Sequence, residues 1–532
     1  MATIGPSITL GSVGPGGTRE IAYSNAFIVG QTPWGIDGVW QICTSFSQFL
    51  RLYGGLSKLS TVAAGTTPDV YGVETNAAVV QCYYAVKGYF DEKLSGSPGV
   101  LYFCKVVASA SGPTAGALTL SDGASHNTTV TAKWKGMNGN AVFVTVNNPS
   151  PTSGAGYAQF IVQQPQANIT ETWDIANAND AANVSKKSEL VTIALPAGGQ
   201  LPNTSAKQKI NAGTPGTADS YSASDSDYVG TITPAGVKTG LQVFNDNKLG
   251  SGCVAVPGKF SSTVRSGIAT HCATYMRMGL FGSPSGLNLT TVITDLGTQT
   301  GPDLAYYWPQ IWVVDQNSTS SGQLLVDPVG HIAGLHARMD KEYRGPHKSA
   351  AGIRHPLVSA LDVERTSSNM ELCDDTGSNT LADSLINTIR IKGNPGSVVV
   401  WGMRTLSQDN RFRQVPVRRV VQLCYLIVQL TLEGYTFEAI DPFGKLFAAI
   451  KGELDTFFFD LRRLGSLYGS QPGRDPRPND AWFVVCDSSN NPGVALQSGE
   501  LHADAQFVPT PNAEKISVNL AVTTPGFVGR AQ

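Results

Sequence analysis

The chain has 532 residues, enough at roughly 150 residues per domain for three or four domains and a large core. Lys and Arg number 38 against 40 Asp and Glu, a formal charge of −2, and charged residues make up only 15% of the chain. No bulk positive field is available to neutralise phosphates, which excludes nucleic-acid binding through a basic surface.

The opening MATIGPSITL lacks the basic and apolar regions of a secretory leader, so export by the ordinary route is not expected. Residues 1–22 set short apolar pieces (Ile4, Ile8, Leu10, Val13) between Gly and Pro and end in the GPGG of Gly14–Gly17. Such a segment cannot build a core and reads as an arm. Ordered structure is expected from Ala26–Gly30, a short buried strand. A capped helix follows over Thr44–Gly55, with Phe46, Phe49 and Leu50 on one side. A longer helix over Asn76–Phe90 and an apolar strand over Gly99–Val107 complete an α/β pattern.

Composition then changes: Ala141–Thr170 holds no Lys, Arg, Asp or Glu, and 108–240 is dominated by Ser, Thr, Asn, Ala and Gly. Within it TVTAKW and AVFVTV alternate with period two around GMNGN (Gly136–Asn140), which predicts a hairpin. The segment reads as a β-rich insertion in an α/β body. The body resumes with a strand over Val254–Gly258, a helix across 261–279, a buried strand over Tyr306–Asp315 and a helix from Pro328 to Lys341. Residues 345–380 read as irregular, and Ser397–Leu406 as a strand.

The greasiest stretch, Val420–Leu432, is interrupted by Gln422 and Gln429 and is shorter than the roughly 20 residues of a bilayer span, so no membrane insertion is expected. From Pro442 to Gly465, Leu446, Phe447, Ile450, Leu454, Phe457, Phe458, Leu461 and Leu464 share one helical face. Lys445 and Arg463 lie opposite that stripe, Lys451 and Arg462 flank it beside Asp455, and Phe459 falls among the charges. Trp482–Asp487, Glu500–Pro509 and Lys515–Val522 read as strands, the last with Ile516, Val518, Leu520 and Val522 on one face.

No constellation carries chemistry. Eight cysteines stand singly, as buried thiols would, and no CxxC groups them for zinc. Asn127, Asn168, Asn183, Asn203, Asn288 and Asn317 open Asn-x-Ser/Thr triplets, which a chain rich in these residues produces by chance. His331 and His336 are spaced i, i+5, where a metalloprotease helix needs i, i+4 with a glutamate beside the first. There is no GxSxG elbow, GPGGT is no phosphate loop, and Asp374 with Asp375 sits in a polar loop. Catalytic, cofactor-binding and metal-binding residues are therefore not assigned.

Several segments, in order across 26–522, resemble the tail sheath proteins of contractile phage tails and related contractile injection particles. AFIVGQTPWGIDGVWQICTSFSQFLRLYGG resembles the family's opening, and TAKWKGMNGNAVFVTV its strand followed by a Gly-Asn turn. ETWDIANANDAANVSKKSELV is similar to the stretch that follows. LAYYWPQIWVVDQ and DPVGHIAGLHARMD resemble the central core, where Pro-x-Gly-x-x-Ala-Gly leads to Ala-Arg-x-Asp. VVVWGMRTLSQDNRFRQVPVRRV is the most specific: Trp-Gly-x-Arg-Thr, a polar loop, then Val-Arg-Arg entering a helix. FFFDLRRLGSLYG, WFVVCDSSNNP and ELHADAQFVPTPNAEKISVNLAV complete the likeness.

The resemblance implies an α/β fold with a subtilisin-like body (23–107 plus 241–395) and an outer β-rich insertion (108–240). It further implies an α+β C-terminal domain facing the tube (396–514), with arms at 1–22 and 515–532. It implies a non-enzymatic homopolymer without cofactors, in six-fold rings stacked helically around a tail tube, with baseplate and terminator or neck proteins as further partners. The place implied is the virion tail, assembled in the host cytoplasm. The arms would add strands to neighbours' sheets through Ile4, Ile8, Leu10, Val13, Ile516, Val518, Leu520 and Val522. The helix carrying Lys445, Lys451, Phe459, Arg462 and Arg463 would grip the tube, and contraction would release energy stored at assembly. Two other classes stand beside this one: a carbohydrate-binding adhesin using Trp134 and Trp173, and an α/β hydrolase.

Overall fold

The computed structural model describes residues 23–516 apart from 63–68, 98, 110–111, 214, 217–221, 318–321, 365–374, 394–395, 442, 470–480, 498 and 515. Its centre is an eight-stranded sheet. The strands are β1 (Asn25–Gly30), β2 (Trp40–Cys43), β3 (Leu101–Lys105), β4 (Gly252–Ala255), β5 (Met278–Phe281), β6 (Leu304–Trp308), β7 (Ile386–Lys392) and β8 (Ser397–Trp401). They run in the order β2-β3-β1-β4-β5-β6-β7-β8. The inner six are parallel, and the edge strands β2 and β8 are antiparallel to their neighbours.

Both faces of this sheet are covered, which is why its strands read as unbroken apolar runs. Ala26 and Ile28 of β1, with Leu101 and Phe103 of β3, join one apolar layer. Phe27, Val29, Tyr102 and Cys104 join the other. The first layer is roofed by helices α1 (Ala77–Glu92) and α3 (Val329–Tyr343), the second by α2 (Ser262–Tyr275). Each start has a local cause: the Asn76 side chain accepts from the amides of Ala78 and Val79, and that of Ser261 from Val264.

Helices α1 and α3 touch backbone to backbone. A Cβ on Gly330 would lie 2.1 Å from the Ala85 carbonyl oxygen, and one on Gly334 2.4 Å from that of Tyr89. The glycines of the Pro-x-Gly-x-x-Ala-Gly run therefore permit this contact.

Residues 117–210 build a separate apolar cluster around two sheets. The predicted hairpin is not there. Asn127–Ala132 pairs with Ala117–Ser121 and Val191–Ala194, whereas Phe143–Asn147 pairs with Ala158–Gln164 and Ser205–Lys209 in the other sheet. GMNGN instead forms a helical turn, Met137–Asn140. Gly136 enters it with φ 85°, and Asn138 turns inward to donate to the Pro33 carbonyl at 2.9 Å. Trp134 stacks on Trp34, ring centroids 6.1 Å apart, tying this cluster to the loop after β1. Ala223 and Tyr228 pack with the central sheet instead.

Other departures have equally local causes. The strand expected over 306–315 divides at Pro309, which cannot donate to a ladder. Residues 304–308 stay in the central sheet while Ile311–Val314 joins a three-stranded sheet with Gln323–Val326 and Ala360–Val363. The helix expected to 279 ends at Tyr275, where Met276 turns left-handed and β5 begins. The region read as irregular contains strand Ala360–Val363 and helix Asp375–Asp383.

A fourth cluster gathers helices α4 (Val415–Glu433) and α5 (Lys445–Arg463) with the two-stranded sheet β9 (Trp482–Val485) and β10 (Asp504–Phe507). By length and composition α4 could cross a membrane, contrary to the sequence reading, which measured only its greasiest part. Its Val420, Leu423, Cys424, Leu426 and Ile427 are instead spent on this core.

Candidate functional site: buried ion pairs of the family-like motifs

In a charge-poor chain, buried charges need partners, and the family-like motifs supply them to one another. The Val-Arg-Arg run opens α4. Arg419 donates to both carboxylate oxygens of Asp340, at 2.8 and 2.6 Å, and both side chains are almost wholly buried. Asp340 is the last residue of Ala-Arg-x-Asp on α3. Burial works against the Arg419 charge, but the Asp340 carboxylate overcomes this and holds the guanidinium above its usual range. Arg418 forms a two-pronged pair with Asp303 at 2.7 and 2.9 Å, and Gln422 donates to the same carboxylate at 2.7 Å. Arg338 pairs with Glu92 at the end of α1, 3.2 Å away. These contacts fasten α4 to the central sheet and the α1–α3 layer.

The same motifs also hold the first and last described stretches of the chain. Ser24 donates to Asp340 at 2.9 Å, and Arg419 donates to the Tyr23 carbonyl at 3.2 Å. At the other end, Arg404 of Trp-Gly-x-Arg-Thr donates to Glu514 at 3.0 and 2.8 Å and to the Ala382 carbonyl. Asn512 donates to the His347 carbonyl at 3.0 Å. The most specific motif in the sequence thus holds chain near both ends of the described residues. The residues expected to form arm strands (Ile4, Ile8, Leu10, Val13, Val518, Leu520, Val522) lie outside the described residues. Ile516 is described and exposed.

Helix α5 buries Ile450, Leu454, Phe457, Phe458 and Leu461 as its spacing requires. Its cations do not form one field. Arg462 lies over the Trp482 ring, 5.9 Å away, on the flank facing β9. Lys451 is half-buried on that flank, where it adds to the Ser489 hydrogen bonds that hold the Asp487 carboxyl low. Lys445 and Arg463 are exposed, Arg463 pairing with Asp460 at 3.2 Å. Phe459 is half exposed and meets the Trp482 ring edge-on at 6.5 Å.

Two other readings lose ground on geometry. Trp134 is buried against Trp34, and Trp173 is partly buried with its indole donating to Glu171, so neither offers a free platform for a sugar ring. A serine–histidine contact exists, Ser466 Oγ to His347 Nδ1 at 3.0 Å, but both side chains are buried. Burial, aided by Lys348, pushes His347 down to about 4, too weak a base to activate a hydroxyl at neutral pH. Among the described residues no group of three His, Cys, Asp or Glu side chains is placed to hold a metal ion.

Sequence reasoning missed Asp303, Asp340, Arg404, Arg418, Arg419 and Glu514 as a group. The available signal was the presence of charges inside otherwise apolar motifs.

No protein-family model matches the chain. The tail sheath protein of Vibrio phage KVP40 is 26% identical over 198 residues, 37% of this chain. The match spans only 26% of that relative's length. Among solved structures, a sheath tail protein from Listeria innocua aligns with a TM-score of 0.55 at 10% identity, over 92% of this chain and 96% of that one. The helical sheath of the anti-feeding prophage in its contracted state gives 0.50 at 14% identity, over 98% and 99%. The chain has the mixed α/β fold of contractile sheath proteins. The resemblance read from its motifs is borne out by a sequence relative and by that fold.

Proposed function

We propose that this chain is the structural subunit of a contractile sheath. It polymerises helically around a tail tube in a metastable extended state and contracts to drive the tube through a cell envelope. The observation that carries the reading is the extent of the likeness: the sheath tail protein alignment covers 92% of this chain. In this reading the central sheet and its helices are the subtilisin-like body, the 117–210 cluster within the expected 108–240 is the outer insertion, and 396–514 faces the tube. The subunit belongs to a virion tail, with tube, baseplate and terminator proteins as neighbours.

A sheath must stay connected while its subunits slide, and backbone pairing by extended arms meets that need. Strands β9 and β10 pair with each other, and in this reading an incoming arm strand adds to this small sheet. In this reading the N-terminal arm passes load to the α4–α3 joint through Tyr23 and Ser24, and the C-terminal arm to Arg404 after β8 through Glu514. Lys445 and Arg463, on the outer side of α5, are the cations best placed to meet the tube. Such exposed pairs contribute about 0–1 kcal/mol each, weak enough to release on contraction. Electron microscopy of the purified chain, alone and with its tube protein, tests the proposal. Ribbed cylinders are expected; a protein that stays monomeric at every concentration, with and without tube, refutes it.

A further inference from the structure

The insertion has an apolar cluster of its own, and a domain joined to its neighbour by chain crossings alone is free to swing. Here the junction is built. Trp34, in the loop after β1, is held by the body: its amide donates to the Tyr53 carbonyl and its indole N–H to the Arg51 carbonyl, both at 3.3 Å. Gly54 packs on the face of the ring. A Cβ there would come within 2.9 Å of the indole, and φ is 86°, so the position requires glycine. The Trp134 ring of the insertion lies nearly parallel to that of Trp34, 10° between planes, and both are buried.

Trp134 is fixed just as firmly on its own side. The turn Met137–Asn140 folds back on it so closely that a Cβ on Gly139 would lie 1.8 Å from the Trp134 carbonyl oxygen. Asn138 of that turn, which donates across the junction to Pro33, has its own carbonyl held by Gln164 at 2.8 Å. Ion pairs cross the junction as well. Lys135 meets Asp37 at 2.9 Å, Arg51 meets Glu189 at 3.8 Å and Lys209 meets Asp69 at 2.7 Å. The Lys209–Asp69 side chains are only 2% and 11% exposed, so salt screens that pair little. The body reaches the insertion from the loop after β1, from the end of helix Phe46–Tyr53, and from the hairpin that pairs Ser57–Thr61 with Val70–Val73. Contacts from three elements resist turning about any one of them.

We propose that the Trp34–Trp134 stack locks the insertion at one angle, so that the insertion and the α/β body form a single rigid unit. In the sheath reading, a subunit that slides or turns then carries its outer surface with it. The lock itself belongs to the isolated subunit, so its failure and the failure of the sheath reading are separate results.

The test measures a distance between spin labels in the full-length monomer. Labels are attached at Thr172→Cys in the insertion and Ser266→Cys on α2, both exposed positions, in a chain that also carries Cys373→Ser. The other seven cysteines are buried and do not take the label in the folded protein. One narrow distance distribution is expected, the same at low and high salt. A broad or double-peaked distribution in this chain overturns the lock, whichever further variants fold. Adding Trp34→Ala should widen the distribution about twofold or more, as a released domain samples many angles. Trp34→Phe, which keeps a ring in the stack, should widen it less. A Trp34→Ala chain as narrow as its parent shows that the stack does not set the angle and overturns the proposal.

Discussion

Replacing Arg419 by Met tests whether the α4–α3 joint is held as described. The side chains of Arg419 and Asp340 are 3% and 0% exposed, and two short hydrogen bonds join them. Without the guanidinium, Asp340 keeps the Ser24 hydroxyl at 2.9 Å and loses its charge partner. Stranding one member of a buried pair costs about 3–5 kcal/mol. That is a large share of the roughly 5–15 kcal/mol that stabilises a typical native protein. Arg419→Met should therefore lower the midpoint of guanidinium unfolding markedly. Because the Tyr23 carbonyl also loses the Arg419 donor, the chain around Tyr23 should become more open to limited proteolysis. Adding Asp340→Leu removes the stranded carboxylate, and the double variant should recover most of the lost stability. A loss below about 1 kcal/mol in the single variant, or a double variant as damaged as the sum of both singles, refutes the reasoning.

Further outcomes follow from other parts of the structure. Burial, helped by Arg277 and Lys87 respectively, lowers His271 and His331 to about 3. The unfolded chain then takes up these protons first, so their contribution is complete above pH 6.5 and is lost as pH falls toward 3. At pH 5 the loss is about 2 kcal/mol per histidine, measurable as a falling unfolding midpoint between pH 7 and 5. Gly330→Ala places a methyl group against the Ala85 carbonyl and should force α1 and α3 apart, costing about 1–3 kcal/mol in denaturant unfolding. Deleting 1–15 or 520–532 should leave folded monomers that form no cylinders in sedimentation and microscopy; normal assembly would dismiss the arm-exchange account. Lys445→Glu with Arg463→Glu should yield folded protein that assembles only as tube-free, contracted sheath. Normal extended tails from that variant, at low and high salt alike, would remove α5 from the tube surface.

Much of the architecture was legible along the chain. The buried strands of the central sheet announced themselves as apolar runs because both faces are covered. Asn76 and Ser261 marked helix starts through side-chain oxygens that cap the first turn. The stripe of α5 followed from helical periodicity alone. These signals are local, generated by residues within a few positions of one another, so a single sequence contains them. Partner choice is not local. Arg419 finds Asp340 across 79 positions, Arg404 finds Glu514 across 110 and Arg418 finds Asp303 across 115. Nothing in the spacing of an arginine names the carboxylate that will neutralise it; only the packing of α4 on the α3 layer brings the two together. The GMNGN turn shows the same limit. Its flanking strands alternate as a hairpin would, but burial of Asn138 and the stacking of Trp134 on Trp34 send them into different sheets. Alternation identifies a strand, whereas the neighbour it pairs with is decided by which apolar faces the whole fold can bury together.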